Sequence, residues 1–348
     1  MDSLSQVALG SAVAIGVMGR RTAVWKAATW GAVAGTLPDL DVVIDHGDAL
    51  LNMVLHRAES HALFWLTLFA PLMAWVVSRI HRDAHLFRRW WLSLWLVLIT
   101  HPLLDAMTIY GTQLLLPFTN HPYGVGSMFI IDPAYTLPLI VGVVAALRMK
   151  DATRGLRWNA VGLVVSTAYL AWSALAQAHV EQQARDSLRE QGVAAERVLV
   201  TPAPFQTLLW RVVALPDDAS DPRFLEAYVS LLDGARPLRF ATHTRGAELM
   251  AAHGQAAPVA RLAAFTGGFV KLSTTSDGQL RITDLRMGQE PDYVFNFDLG
   301  PLSAVGSVPA TQVSERPPVG PALRWIGQRM WGQDVAPPWQ GAVKPSAG

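Results

Sequence analysis

Apolar positions fall into long, nearly unbroken runs in the first half of this chain and into short or alternating runs in the second. Ala62–Ile80, Trp90–Met107, Ile131–Leu147 and Trp158–Ala176 each approach the roughly 20 residues with which a helix crosses a bilayer. Trp90, Trp91 and Trp158 stand at the ends of these runs, where aromatic rings suit the membrane–water boundary. Two shorter runs come first, Leu4–Met18 and Ala23–Leu37. Their Gly and Ala residues permit close helix packing. They read either as two short spans or as a helical hairpin dipping into the membrane.

After about residue 180 the pattern changes. Glu181–Gln191 is charged and helix-like. Strand-like runs follow at Arg197–Val200, Thr207–Ala214, Leu238–Thr242, Phe269–Ser273, Gln279–Leu285 and Tyr293–Asp298. Clusters of Pro, Gly and Asp separate them, as turns require. Glu248–Ala264 reads as a helix interrupted near Gly254. The expected fold is an α-helical integral membrane bundle of about four to six segments, followed by a C-terminal α+β extracytoplasmic domain. The expected boundaries are 1–178 for the membrane domain, 179–313 for the α+β domain and 314–348 for a Pro/Gly-rich tail. An aromatic segment, Leu323–Trp331, interrupts that tail, and its last dozen residues read as disordered.

Loop charge sets the expected orientation. Arg79, Arg82, Arg88 and Arg89 follow the first long run, and Arg148, Lys150, Arg154 and Arg157 follow the third. The alternate loops, 38–61 and 108–130, hold a single basic residue, Arg57. Basic loops stay cytoplasmic, so 38–61, 108–130 and the C-terminal half are expected to face outward.

Composition narrows the chemistry. The chain is 51% hydrophobic and 16% charged, against roughly 25% charged in soluble domains. A formal net charge of +1 gives no basis for nucleic-acid binding. The absence of cysteine rules out disulfides, thiolate metal sites and cysteine nucleophiles.

The polar residues worth attention sit where the apolar runs end. They are Pro38-Asp39-Leu40-Asp41, His56-Arg57-Ala58-Glu59-Ser60-His61 and His101-Pro102-Leu103-Leu104-Asp105. Ionisable groups beside a membrane span are costly and usually have a functional partner. His with Asp suits a divalent cation. His101 and Asp105, four apart, share a helix face, so they could share a metal, or the Asp could orient a buried His. Asp39, Asp41, His56 and His61 are further candidate ligands, or else an ordinary turn with its ion pairs. Arg57 suits an anionic oxygen or an ion pair with a nearby carboxylate. Asp132, before Pro133, reads first as a helix cap and second as a catalytic base.

These motifs in order resemble the YdjM-type membrane-bound metal-dependent hydrolases predicted in bacteria. The opening Met1-Asp2-Ser3-Leu4-Ser5-Gln6 with Gly10 and the motif Tyr110-Gly111-Thr112 are similar to theirs. So, in longer members, are Ile131-Asp132-Pro133, Thr201-Pro202, Leu209-Trp210-Arg211 and Asp284-Leu285-Arg286-Met287. That family is similar in ligand order to zinc-dependent phospholipase C. The likeness implies Asp39 or Asp41, His56 or His61, His101 and Asp105 as ligands. Many members carry Thr-His where this chain has Ser5-Gln6, which would leave a multi-metal site one ligand short.

The resulting expectation is a membrane-bound metal-dependent hydrolase, multi-pass in a bacterial inner membrane as the resemblance implies, with its site at the extracytoplasmic face and acting on phosphoester or lipid-linked substrates. Its metal ligands would be Asp39, Asp41, His56, His61, His101 and Asp105, with Arg57 and Asp132 as catalytic residues. The cofactor would be one or more divalent ions, zinc first and manganese second. Lowering the pKa of a coordinated water to about 7 is what such an ion offers. The alternatives are a non-catalytic membrane sensor or assembly protein with a structural metal, and an ion or proton pathway.

Overall fold

Small residues bring the first two helices into near contact. In the computed structural model, helix α1 (Ser3–Met18) packs on α2 (Val24–Thr36). A Cβ on Gly10 or Gly31 would collide with the carbonyl oxygen of the other, and one on Gly35 would lie 2.6 Å from the Gln6 carbonyl oxygen. Asp2 caps α1, its carboxylate accepting from the Leu4 and Ser5 backbone amides. The structure describes residues 1–218, 221–234, 236–314 and 319–339. The disorder expected of the last dozen residues falls mostly on 340–348, outside the described residues.

After α2 a 3₁₀ helix, Pro38–Val43, leads to α3 (Ala49–Leu55) and a 3₁₀ turn, Glu59–His61. The long helices follow: α4 (Leu63–Ile80), α5 (Phe87–Ala106), α6 (Pro133–Arg148) and α7 (Ala152–Glu190). Two of them, α4 and α7, are long and apolar enough to cross a membrane, while α1 and α6 are shorter apolar helices. α1 packs on α5 and α6, and α4 on α5. Trp90, Leu94 and Leu98 of α5 are buried with Met18 of α1 and Val77 of α4. The charged, helix-like stretch Glu181–Gln191 is almost entirely the end of α7, which runs on from the last apolar span. From Leu163 to Glu190 the chain has neither Gly nor Pro, so nothing stops the helix where its apolar face ends.

The chain divides into two compact units. The first is helical: Met1–Asp45, Leu55–Ala174 and Pro204–Gln206. The second, His46–Val54, Leu175–Ala203 and Thr207–Gly348, is rich in β-sheet. Its first sheet has the order β1 (Arg197–Pro202), β2 (Leu209–Leu215), β3 (Arg223–Ser230), β4 (Ala241–Thr244), all antiparallel. Helices α8 (Ala247–His253) and α9 (Ala257–Phe265) come next, split as expected near Gly254. Strands β5 (Val270–Thr274) and β6 (Gln279–Asp284) are followed by a small ladder, β7 (Gly288–Gln289) with β8 (Asp292–Tyr293). The second sheet is completed by β9 (Asn296–Pro301) and β10 (Thr311–Val313), in the order β10-β9-β6-β5. A last helix, α10 (Val319–Met330), buries Trp325 and ties Arg329 to Asp233 at 2.6 and 2.5 Å.

β3 escapes the pattern reading because Glu226 interrupts its apolar residues. The structure supplies the reason a carboxylate fits there. Arg211 of β2 donates to Glu226 Oε1 at 2.7 Å and to the Leu285 carbonyl at 2.8 Å, joining the first sheet to the segment after β6. Both side chains are buried. Removing one partner strands the other charge, so Glu226→Ala is expected to cost about 3–5 kcal/mol, and Arg211→Met with Glu226→Leu to restore much of it. Thermal unfolding of the detergent-solubilised variants checks this.

Candidate metal centre

The centre lies where α4 begins and α5 ends. Pro38 opens a helix with about three residues per turn, so Asp39 and Asp41 project to different sides. Asp39 turns toward His61 and His101, with its Oδ1 3.4 Å from Nε2 of each. Asp41 turns the other way and accepts from the Ser60 hydroxyl at 2.6 Å and the Arg57 amide at 2.9 Å. His56 Nδ1 lies 2.8 Å from its Oδ1. His61 closes the 3₁₀ turn just before α4, and His101 and Asp105 lie one turn apart on α5.

The hydrogen-bond partners fix the histidine tautomers. His101 Nδ1 is 2.6 Å from the Gly35 carbonyl, which can only accept, so Nδ1 carries the proton. The Ser60 hydroxyl spends its one proton on Asp41, so at 2.8 Å it must accept from His61 Nδ1. In the neutral rings both Nε2 atoms therefore present lone pairs, and they face each other 3.2 Å apart. Asp105 Oδ2 is 3.2 Å from His61 Nε2 and 3.3 Å from His101 Nε2, buried and without a hydrogen-bond donor.

With both rings neutral, four electron-pair donors thus converge. The ligand atoms of Asp39, His61, His101 and Asp105 lie within 4.8 Å of one another, and this group could hold a metal ion. The donor set fits one. Each Nδ1 is oriented by a carbonyl or a hydroxyl–carboxylate relay, the outer-shell support typical of metal-binding imidazoles. The orphaned Asp105 oxygen is the kind of buried acceptor that otherwise costs roughly 1–3 kcal/mol.

Charge around the group is balanced from one side. Arg57 Nε is 3.5 Å from Asp105 Oδ2, Nη1 is 3.4 Å from the Thr108 hydroxyl, and the guanidinium carbon lies 4.9 Å from the Tyr110 ring centre. Arg57 adopts φ 65°, rare outside glycine. Its amide and carbonyl, bonded to Asp41 and to the Gln113 amide, hold it there. Such a conformation costs roughly 1–3 kcal/mol and tends to occur at functional sites. The Met1 amino group contacts Asp105 Oδ1. Burial raises the Asp41 carboxyl, but His56, Ser60 and the Arg57 amide together hold it below the usual carboxylate range.

Asp41 and His56 lie outside the four-residue group and are paired with each other. Asp132 also lies outside it. It is the N-cap of α6, accepting from the Ala134 and Tyr135 amides, and its second oxygen accepts from Tyr169 at 2.9 Å. Three neighbours of the site carry little signal in the sequence. Ser60 bridges Asp41 and His61, where the sequence suggests only a helix cap, and the Gly35 carbonyl is backbone. Gln6, a departure from the family pattern, donates to Asp105 Oδ1 at 3.1 Å and to the His101 carbonyl at 3.2 Å.

His101→Ala is expected to abolish co-purifying or reconstituted metal. Ser60→Ala is expected to weaken metal affinity by roughly 10–100-fold, because it removes only the support behind His61. Metal content by mass spectrometry, with folding matched by circular dichroism, checks both.

The chain is similar to the uncharacterized protein YfhP of Bacillus subtilis (strain 168), with 21% identity over 242 residues, 67% of this chain and 71% of that protein. No solved structure matches it significantly. The model of the YdjM inner membrane protein family matches residues 1–180, the stretch that holds every residue of the centre. The chain therefore belongs to the YdjM inner membrane protein family.

Proposed function

We propose that this protein is a membrane-bound metal-dependent hydrolase acting on phosphoesters at the extracytoplasmic face of the inner membrane. The observation that carries this reading is the meeting of four potential metal-ligand atoms with a buried guanidinium beside them. One edge of the group is also accessible. Asp39 is 22% exposed, whereas His61, His101 and Asp105 are fully buried. A purely structural site is normally closed, and a catalytic one keeps an open position. Orientation is supported by the eight basic residues at 79–89 and 148–157, which flank the opposite ends of α4, α5 and α6 from the centre.

A divalent ion, zinc or manganese, would supply Lewis acidity and an acidified water at neutral pH. The residues around it divide the remaining work. Arg57 Nε is buried and has no hydrogen-bond partner, so it can meet an anionic phosphoryl oxygen whose charge grows in the transition state. His56 has Nδ1 committed to Asp41, which leaves Nε2 as the proton acceptor. A carboxylate-oriented histidine of this kind is a general base and then a general acid. Asp132, expected from the sequence as the base, has both oxygens engaged at the start of α6, and His56 takes that role here.

In the metal-loaded protein, bis(p-nitrophenyl) phosphate is expected to be cleaved. His56→Gln and Arg57→Lys should each lower kcat by roughly 10²–10³ with metal content retained. Stoichiometric metal without cleavage of any phosphoester would overturn the hydrolase reading.

A further inference from the structure

The rim of the centre has the wrong chemistry for a water-soluble substrate. The 3₁₀ segment that carries Asp39 shows Leu40, Val42, Val43 and Ile44 to the outside, at 58, 72, 80 and 54% exposure. Its polar residue at that edge, Asp41, turns inward to His56 and Ser60. An aliphatic ridge therefore flanks the accessible ligand.

The level of that ridge is set by α4. Its 18 residues span about 27 Å as a helix, close to the roughly 30 Å of a bilayer's hydrocarbon core. His61 stands two residues before this helix, so a bilayer spanned by α4 would have its boundary at the centre. The outer apolar face of α4 also continues past the helix end. The Leu63 amide donates to the Leu114 carbonyl, and Phe118, 77% exposed, sets its ring 5.5 Å from that of Phe64. Apolar surface thus runs from the helix onto the loops around the centre, where acyl chains would meet it.

We propose that the Leu40–Ile44 ridge inserts into the bilayer and that the substrate is a membrane-resident phospholipid-type amphiphile. Its acyl chains stay beside the ridge while its phosphate reaches Arg57 and the ion that Asp39, His61, His101 and Asp105 would hold. This rests on the hydrolase reading and narrows its substrate class. In the reaction, water adds to phosphorus as one P–O ester bond breaks. The phosphate keeps the water oxygen, and the departing alcohol oxygen takes up a proton. The cationic Arg57 and the anionic phosphate are complementary, and the apolar ridge matches the chains.

The native chain has no cysteine, so Val43→Cys gives one labelling site at an exposed position. The test uses a nitrobenzoxadiazole label there, in full-length protein in phosphatidylethanolamine–phosphatidylglycerol nanodiscs. The control is Arg239→Cys, whose native side chain is 86% exposed in the β-rich unit. The label at 43 should be quenched by lipids brominated on the acyl chain and shielded from aqueous iodide, and the control should show the reverse. Iodide quenching at 43, or shielding from both quenchers by protein, overturns the insertion. In a second arm, the metal-loaded native protein is given vesicles of the same lipids and, separately, their deacylated glycerophosphodiesters. At least tenfold faster cleavage of the lipids supports the proposal. Cleavage of the soluble diesters at an equal or higher rate overturns it but leaves the hydrolase reading standing. Metal-loaded protein that cleaves neither these nor bis(p-nitrophenyl) phosphate overturns both.

Discussion

In the neutral rings, two imidazole nitrogens face each other across 3.2 Å with lone pairs on both sides. That repulsion is the constraint that the neighbouring hydrogen bonds keep in place. Each Nδ1 proton is already committed, one to the Gly35 carbonyl and one to Ser60, so neither ring can relieve it by changing tautomer without losing a hydrogen bond. Two carboxylate oxygens complete the group, adding negative charge rather than protons. A cation between the four donors turns a costly arrangement into a favourable one, and the structure behind them holds that arrangement in place.

The support comes from packing as much as from polar contacts. Glycines at the α1–α2 crossing let the two backbones approach, and this brings Gly35 within reach of His101 and Gln6 within reach of Asp105. A side chain at Gly31 would push the helices apart and withdraw both contacts. The strained Arg57 backbone serves the same end, since its amide steadies Asp41 while its guanidinium lies against Asp105. The apolar runs thus position the chemistry in addition to anchoring the chain.

The parts of the site that were legible in the sequence are those set by local geometry. His101 and Asp105 share a helical face by their spacing alone, and the edges of the apolar runs marked Asp39 and His61 as residues to watch. Asp39 and Asp41 could not be told apart, because an α-helix, a turn and a 3₁₀ helix send residues two apart in different directions. The Gly35 carbonyl has no side chain to announce it, and Gln6 shows its role only through the polar atoms it meets. In the fold, the long helices were readable from their runs. β3 was not, since its Glu226 looks like a surface residue until Arg211 is placed beside it. The continuity of α7 was hidden by a change in composition with no change in helix propensity.

Membership of the YdjM inner membrane protein family puts the four-residue group, which could hold a metal ion, in an inner membrane protein. The most direct test of the central claim is X-ray absorption at the edge of whichever divalent metal loads the purified protein. The spectrum should show a first shell of nitrogen and oxygen with the outer-shell scattering of two imidazoles, those of His61 and His101. A shell of water oxygens without imidazole scattering, or no metal retained after reconstitution, would contradict it.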